Sequence, residues 1–382
     1  MSPLTHTNVI KIEWAQIEST RPRHAGSNAR LGDHGLTIRL PMARITTADG
    51  SSGFGHCRAD ERLAHMIVGK SLADLFQLGS GTTELGRPFD FPLWDLAAKR
   101  ADKPVYALAA DFVGKATPAE LTVPCYDTSL YFDDLHLADD DEAAALIADE
   151  ARQGYTRNHR NFKIKVGRGG RHMALEAGTA RDILIVNAVR ATVGPEAKIL
   201  LDANNGYNLN LTKQVLKATA TDDIYWMEEA FHEDPLLYQD LQAWLKAEGL
   251  SVLVADGEGL AAPPLVDWAR DGLINVVQYD IHGHTFTGWL ALGQRLDAYG
   301  VRSAPHHYGG HIGNFTAGHL AAAVDGFTFI EWDEAATTAL DSSAYQVTEG
   351  SVRMSAKPGF GLDLDEEAFQ TAVTTNGYRI NT

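Results

Sequence analysis

The chain has 382 residues, and 45% of them are hydrophobic, which is enough for one large barrel and a smaller second domain. Its formal net charge of −17 argues against nucleic acid and anionic membranes as partners. Cys57 and Cys125 are its only cysteines, which argues against a disulfide framework or a thiolate zinc cluster and favours a reducing compartment.

The start of the chain shows no targeting signal. Met1–Asn8 lacks a basic region followed by an apolar core, as a signal peptide would have. No apolar run in the sequence approaches the length of a membrane span. We therefore expect a cytoplasmic protein without a membrane anchor.

The first 120 residues predict an α+β domain. The alternation of apolar and polar residues over Val9–Asp49 is typical of an antiparallel sheet. Ser19–Asn28 interrupts this pattern with Arg, His, Gly and Pro, which predicts a long loop, either a lid or a mobile surface segment. Ala59–Phe76 and Phe89–Leu108 predict helices, and Pro104 ends the second of them.

From Leu121 the pattern changes to alternating strands and helices, which is typical of an α/β barrel. Five intervening helices are predicted at Asp139–Gln153, Ala174–Ala191, Leu211–Ala218, Leu236–Glu248 and Pro263–Arg270. The eight predicted strands are Thr122–Tyr126, Phe162–Val166, Ile199–Leu201, Ile224–Glu228, Val252–Ala255, Asn275–Tyr279, Val301–Ala304 and Phe327–Ile330.

Three of these strands end in acidic residues at nearly even spacing. Asp202, Glu228 and Glu258 lie 26 and 30 residues apart, close to the length of about 30 residues for one β/α unit of a closed barrel. Oxygen ligands at strand ends predict a Mg²⁺ or Mn²⁺ site rather than a zinc site. Glu229 and Asp256 are close enough in sequence to compete for the same role.

Lys163 and Lys165 are two residues apart on an apolar strand, so both side chains are predicted to face the barrel interior. Lysines in that position require carboxylates, a metal site or an anionic substrate. A desolvated lysine near a cation is a usable base. A solvated edge strand or a Schiff-base lysine are the alternatives, and neither explains the three carboxylates.

A carboxylate and an imidazole follow on consecutive strands. Asp280 and His306 are placed as a dyad in which the carboxylate orients the ring, although His307 is an alternative base. Glu331 ends the last strand and could contact a bound carboxylate.

Together these motifs resemble the enolase superfamily, specifically its mandelate-racemase-like group. Trp94–Lys99 and Pro104–Tyr106 resemble its late capping-domain helix, and Pro358–Gly361 resembles its C-terminal turn. The motifs that carry the resemblance are, in chain order, Lys163-x-Lys165, Asp202-x-Asn204, Glu228-Glu229, Gly257-Glu258, Asp280, Pro305-His306 and Glu331.

The sequence departs from the family pattern at three points. Ala230 stands where the family usually has Pro after the paired Glu, and the segment after Asp280 lacks the usual Gly-Gly. Asp256 precedes the Gly257-Glu258 match, and a sister group takes its third ligand from an Ala-Asp pattern. We take Glu258 as the third ligand because that match agrees with the rest.

The resemblance implies a (β/α)₇β TIM-type barrel with an N-terminal α+β capping domain that the C-terminal tail completes. We expect the capping domain at 1–120, the barrel at 121–345 and the returning segment at 346–382. We also expect a homo-oligomer, between a dimer and an octamer.

The implied activity is Mg²⁺-dependent removal of the proton α to a carboxylate. Lys165 and the His306–Asp280 pair would act on the two faces of the substrate, while Lys163 and Glu331 stabilise the ene-diolate. Dehydration of a sugar acid to a 2-keto-3-deoxy acid is the first expectation, and racemisation, epimerisation or lactone cycloisomerisation are alternatives. A catalytically silent binding barrel and a metal-dependent aldolase are others. Asn204, Arg23 and His24 are expected to bind the substrate, and Arg21 and Arg30 of the same capping segment are further candidates.

Overall fold

The computed structural model describes residues 7–382. Residues 1–6, which hold most of the segment examined for a signal peptide and the start of the expected capping domain, lie outside the described residues.

The strands in chain order are β1 (Val9–Ala25), β2 (Gly35–Thr47), β3 (Ser52–His56), β4 (Phe76–Gln77), β5 (Gly81–Thr82), β6 (Thr122–Leu130), β7 (Asn161–Lys165), β8 (Lys198–Asp202), β9 (Ile224–Glu228), β10 (Leu253–Asp256), β11 (Val276–Val277), β12 (Arg302–Ser303), β13 (Ile330–Trp332), β14 (Leu340–Asp341), β15 (Val347–Thr348), β16 (Ser351–Arg353), β17 (Asp363–Leu364) and β18 (Tyr378–Asn381). The α-helices are α1 (Glu61–Ile67), α2 (Leu72–Leu75), α3 (Asp90–Arg100), α4 (Val105–Phe112), α5 (Asp140–Thr156), α6 (Leu175–Val193), α7 (Leu209–Ala218), α8 (Pro235–Glu248), α9 (Leu265–Arg270), α10 (Ile281–His284), α11 (Phe286–Tyr299), α12 (Gly313–Thr316) and α13 (Glu366–Asn376).

Both ends of the chain contribute to the first sheet. Its strand order is β18-β1-β2-β3, and every neighbouring pair is antiparallel. The last strand of the chain therefore lies beside the first, and helix α13 packs on the same sheet. This pairing supports the expected division of the chain into a capping domain, a barrel and a C-terminal segment that returns to the capping domain. We propose that the boundaries between them lie at residues 120 and 345.

The second sheet is the barrel. Strands β6 to β12 pair in sequence order, all parallel, and β13 pairs in parallel with β6. The ring is completed where Ser303 of β12 bridges to Phe327, and Thr328 donates its backbone NH to the Ser303 carbonyl at 2.8 Å. The expected α/β fold, a TIM-type barrel with a capping domain, is confirmed.

An apolar plug fills the centre of the barrel below the polar strand ends. It is an inner cluster, separate from the larger core between the barrel strands and helices, and its aromatic members pack edge to face, with Tyr126 and Trp226 rings 5.5 Å apart. Side chains alternate along each strand, so the next inward positions after this layer form the polar site. The buried members of the plug are Tyr126, Leu200, Trp226, Ala255, Val276, Ala304 and Phe329.

The motifs assigned to the capping domain meet at one buried carboxylate. Asp95 of α3 accepts hydrogen bonds from the backbone NH of Phe54 at 3.0 Å and of Phe360 at 2.9 Å. Gly359 has φ +77° and lies so close to Asp95 that a Cβ atom there would be 2.2 Å from the carboxylate. The Pro-Gly turn is therefore required by close packing between the C-terminal segment and the cap helix.

Three predictions for the capping domain are wrong in detail. The predicted helix Phe89–Leu108 is two helices, α3 and α4, and Pro104 immediately precedes α4 instead of ending a helix. The predicted loop Ser19–Asn28 is strand up to Ala25, because β1 pairs with β2 as far as Ala25, opposite Gly35, and Thr20 also exchanges backbone hydrogen bonds with Ala336. Only the segment 26–34 forms a loop. The predicted helix Ala59–Phe76 is two short helices, and the chain between them turns at Gly69, whose φ is +83°.

Within residues 7–382, no helix is both long and apolar enough to cross a membrane.

We expect acid to weaken the junction between cap and barrel at His319. This residue is fully buried, its Nδ1 accepts from the Tyr106 backbone NH at 3.0 Å, and burial lowers its pKa to about 3. The unfolded chain takes up this proton near pH 6.5 and the folded chain does not, so stability is present above that pH and falls below it, by about 1.4 kcal/mol per pH unit for one such group.

Urea unfolding at pH 7 and pH 5 measures this loss. His319→Gln should reduce the difference between the two midpoints, whereas His65→Gln, at an exposed helical position, should not. Equal pH dependence in wild type and His319→Gln would contradict the assignment.

Candidate active site

Three carboxylates meet at the carboxyl ends of neighbouring strands. Asp202 ends β8, Glu228 ends β9, and Glu258 follows β10 by two residues. One oxygen from each lies within 4.8 Å of the others, and all three side chains are buried. Asp202 and Glu228 are direct register partners, so the parallel pairing itself brings the first two together.

The backbone is strained in the turns that follow β8 and β9, next to the three carboxylates. Asn204, Asn205 and Glu229 have positive φ values of 41°, 62° and 41°, which non-glycine residues rarely adopt. The Asn204 side-chain amide donates to Glu229 at 2.9 Å and to Glu258 at 3.1 Å. Such strain is found where a functional geometry is held by its surroundings. Asn204 thus orients Glu258, and its own buried Oδ1 has no hydrogen-bond partner within the described part of the chain.

The structure separates Glu258 from its competitor Asp256. Asp256 points outward and accepts a hydrogen bond from the Tyr238 hydroxyl at 2.6 Å and from the Gly257 NH at 2.7 Å. Gly257 has φ +125°, so the chain reverses its side-chain alternation there. Glu258 is therefore the carboxylate that faces Asp202 and Glu228.

The two lysines of β7 face the barrel interior, as the sequence predicted. Lys163 lies 3.0 Å from Glu228 and 2.9 Å from Glu331, and Lys165 donates to Asp202. Burial lowers the pKa of each lysine, but the neighbouring carboxylates outweigh burial and raise it. The neighbouring carboxylates therefore favour the ammonium form of both side chains.

The expected dyad is present. His306 Nδ1 lies 3.0 Å from Asp280 Oδ1, and His306 Nε2 lies 3.0 Å from Glu258 Oε2. Burial lowers the pKa of His306, but carboxylates, with Glu258 foremost, raise it to about 10. The alternative base, His307, has no hydrogen bond to either ring nitrogen from residues 7–382, and burial lowers its pKa to about 4.

Glu331 anchors the opposite side of the site. Its carboxylate accepts from the backbone NH groups of His307 and Tyr308 at 2.8 and 3.0 Å, and from the Thr128 hydroxyl at 2.8 Å. Burial raises its pKa, but Lys163 and the nearby histidines hold it well below the ordinary value. Glu331 is thus an acceptor that holds Lys163, and it does not donate.

The acidic group fits a hard divalent cation. Burial and Asp202 raise the pKa of Glu228 to about 8, and burial with Glu258 raises that of Glu229 to about 10. These carboxylates repel one another when they are all ionised, and a divalent cation relieves that repulsion. A set of carboxylate oxygens suits Mg²⁺, which is the cofactor we assign.

Arg23 and His24 are not brought to this site. Arg23 pairs with Asp133 at 2.6 Å and with Glu150 at 3.0 Å, and His24 is exposed beside Asp33. The structure therefore gives no support to their expected contact with substrate, because the strand that replaces the predicted loop directs both side chains to other partners.

Arg30, which the sequence also offered as a candidate, reaches this site from the loop 26–34 of the capping domain, called the capping loop below. Arg30 lies 3.3 Å from Glu258 and 3.7 Å from Glu229. Sequence reasoning missed Thr128, which lies two positions after the inward-facing Tyr126 on β6. The alternation of that strand could have revealed it.

Comparisons with known proteins agree with this geometry. The family described as "Enolase C-terminal domain-like" matches residues 146–368. The chain is 26% identical over 375 residues to arabinonate dehydratase of Saccharolobus solfataricus, a match that covers 89% of this chain and 91% of that protein.

Two solved structures from Geobacillus are more similar. One is galacturonate dehydratase in complex with D-galacturonate and 5-keto-4-deoxy-D-galacturonate, with 47% identity, TM-score 0.93 and 99% of each chain covered. The other is a mandelate racemase/muconate lactonizing protein from Geobacillus sp. Y412MC10 complexed with magnesium and tartrate. It has 47% identity and TM-score 0.96, and the match covers 100% of this chain and 98% of that chain.

Removal of a ligand carboxylate should weaken metal binding, and removal of Asp256 should not. We expect Asp202→Asn and Glu258→Gln to raise the Mg²⁺ Kd about tenfold or more, because each loses a charged oxygen ligand. Asp256→Asn keeps an oxygen for the Tyr238 hydroxyl and is the matched control. Isothermal titration with Mg²⁺ measures all three, and a weakened Asp256→Asn with an unaffected Glu258→Gln would reverse the assignment.

Arg23→Ala should cost stability and leave the chemistry intact. Without this guanidinium, Asp133 and Glu150 remain largely buried without their cation, which costs about 3 kcal/mol. His24→Ala removes an exposed side chain and should change the free energy of unfolding by no more than about 0.5 kcal/mol. Denaturant unfolding gives both values, and lost turnover in fully folded Arg23→Ala would return this residue to the site.

Proposed function

The chain belongs to the Enolase C-terminal domain-like family, and from this membership we propose that it is an Mg²⁺-dependent sugar acid dehydratase. The proposal rests on one observation above all. Lys165 contacts the first carboxylate of the triad, Asp202, while His306 contacts the last, Glu258. An acid–base group therefore stands at each end of the same acidic cluster.

Two opposed groups suit an elimination. The proton α to a carboxylate is weakly acidic, so its removal requires a positioned base and stabilisation of the charge that develops. A cation on the neighbouring carboxylates would offset the negative charge that raises the pKa of both groups. One of Lys165 and His306 would then be neutral and take this proton, and the other would protonate the leaving β-hydroxyl. Asp280 holds the imidazole so that Nε2 faces the substrate.

The remaining groups stabilise the ene-diolate. When bound to Asp202, Glu228 and Glu258, Mg²⁺ supplies positive charge to one substrate carboxylate oxygen. Lys163 offers an ammonium group to the other oxygen, and Glu331 holds that ammonium in place. Asn204 Oδ1, buried and unpartnered, is available to accept from a substrate hydroxyl.

A hexuronate is the preferred substrate class. In a hexuronate the carbon next to the carboxylate is C5, so loss of its proton and of the C4 hydroxyl gives a 5-keto-4-deoxy acid. Counted from the carboxylate, this product is a 2-keto-3-deoxy acid, and the site needs no change to form it. The 47% identity to the Geobacillus galacturonate dehydratase over almost the whole chain supports this choice.

A panel of sugar acids with Mg²⁺ tests the proposal. We expect hexuronates, with D-galacturonate first, to give an acid with a keto group next to the carboxylate. Aldonates and aldarates are the comparison substrates. Release of an epimer without a keto acid would assign epimerisation to the same site, and failure to turn over any acid would favour a binding barrel.

Lys165→Ala and His306→Ala should each abolish dehydration while binding Mg²⁺. Exchange of the α-proton with solvent deuterium should survive in only one of them, since only one group removes that proton. NMR of the recovered substrate measures the exchange. Full activity of His306→Ala combined with an inactive His307→Ala would contradict the dyad.

A further inference from the structure

His34 lies in the capping domain at the end of the loop 26–34, immediately before β2. Its backbone NH donates to the Ala25 carbonyl at 3.0 Å, and its ring is half-buried. The ring contacts Tyr131 and Tyr308, which follow the barrel strands β6 and β12, so this imidazole of the capping domain lies at the carboxyl ends of those strands.

The ring of His34 lies on the Lys165 side of the site. It packs edge-on against Tyr131, with ring centroids 4.8 Å apart, and against Tyr308 at 5.6 Å. The same Tyr131 ring has the Lys165 ammonium 5.3 Å from its centroid. Burial lowers the pKa of His34, and Lys165 and Arg21 lower it further, which favours the neutral ring.

One hydrogen bond determines the tautomer of this ring. His34 Nδ1 lies 2.7 Å from the Gly26 carbonyl oxygen, and a carbonyl only accepts, so Nδ1 carries the proton. In the neutral imidazole Nε2 is then a hydrogen-bond acceptor. An acceptor at this position attracts a hydroxyl and repels a carboxylate.

Arg21 stabilises the backbone next to His34. Arg21 donates to the Gly35 carbonyl at 3.2 Å, stacks over the Tyr308 ring at 4.8 Å from its centroid, and lies 3.6 Å from Asp333. Arg21 is thereby engaged with protein groups, which leaves the acceptor nitrogen of His34 to define this wall.

We infer that His34 is a specificity-determining residue whose Nε2 accepts a hydrogen bond from a substrate hydroxyl on the Lys165 side. This inference rests on the proposed function. It further specifies the substrate as an acid that places a hydroxyl, and not a second carboxylate, against this wall. Hexuronates and aldonates have a single carboxylate, so when it is bound at the metal site only hydroxyl-bearing carbons can lie next to His34. An aldarate has a second carboxylate, and it does not meet the requirement when that carboxylate lies next to His34.

Two substitutions separate a binding role from a structural one. His34→Asn places an amide near Nδ1, so it keeps the contact with Gly26 and loses the acceptor at Nε2. His34→Gln places its amide oxygen near Nε2 and loses the Gly26 contact. His24→Asn, at the exposed position paired with Asp33, is the matched control.

We expect His34→Asn to lower kcat/KM for the preferred sugar acid about tenfold, the value of one neutral hydrogen bond. His34→Gln and His24→Asn should stay within about threefold, and Mg²⁺ affinity should not change in any of them. On a series of monodeoxy acids, the acid lacking the contacted hydroxyl should be turned over equally by wild type and His34→Asn.

The opposite ranking, with His34→Asn active and His34→Gln impaired, would assign His34 a structural role through Gly26 and overturn the inference. Equal loss on every deoxy acid would overturn it too. The wild-type protein is assayed first, so that absence of dehydration in wild type counts against the proposed function and not against His34.

Discussion

Buried charge at the carboxyl ends of the barrel strands is the constraint on which the site depends. Lys163 has no exposed surface and lies within 3.0 Å of Glu228 and Glu331, which come from strands on either side of it. Breaking a buried ion pair by removing one partner costs about 3–5 kcal/mol, so these side chains hold one another in place. Because parallel strands bring Lys165 opposite Asp202 in register, the same pairing that forms the sheet assembles the charges. The apolar plug beneath them excludes water and strengthens each interaction.

The capping loop is a fixed wall of this site. The Phe132 NH donates to the Ser27 carbonyl at 2.9 Å, His172 contacts the Asn28 carbonyl at 2.8 Å, and Arg171 contacts the Arg30 carbonyl at 2.5 Å. These contacts attach successive residues of the loop 26–34 to the barrel. Preorganised binding groups lose less entropy when a substrate binds, which suits a loop that places Arg30 and His34 at the mouth.

Different parts of the structure fix the positions of the two proposed acid–base groups, Lys165 and His306. Lys165 is on a strand paired on both sides, and its position follows from the sheet. His306 follows a strand of only two residues, so its orientation depends on Asp280 and on the isolated backbone bridge between these two residues. Strained backbone at Asn204, Asn205 and Glu229 adds a cost of about 1 kcal/mol or more each, which the packed strand ends sustain.

The sequence by itself determined the alternation of strands and helices, the acidic strand ends and the inward direction of Lys163 and Lys165, because all of these follow from local periodicity. It also pointed to Asp280 and His306 as neighbours through their place on consecutive strands. Only the tertiary structure decided that Glu258 faces the cluster and Asp256 faces Tyr238, since the turn at Gly257 reverses the alternation. Long-range pairing also decided the capping segment. β1 pairs with β2 as far as Ala25, and Thr20 also bonds to Ala336, more than 300 residues away. Arg23 therefore lies on a strand beside Glu150, while Arg30 of the following loop lies beside Glu258. No local pattern encodes a partner at that distance, so the residues alone could not separate Arg30 from Arg23 and His24, and they did not indicate His34.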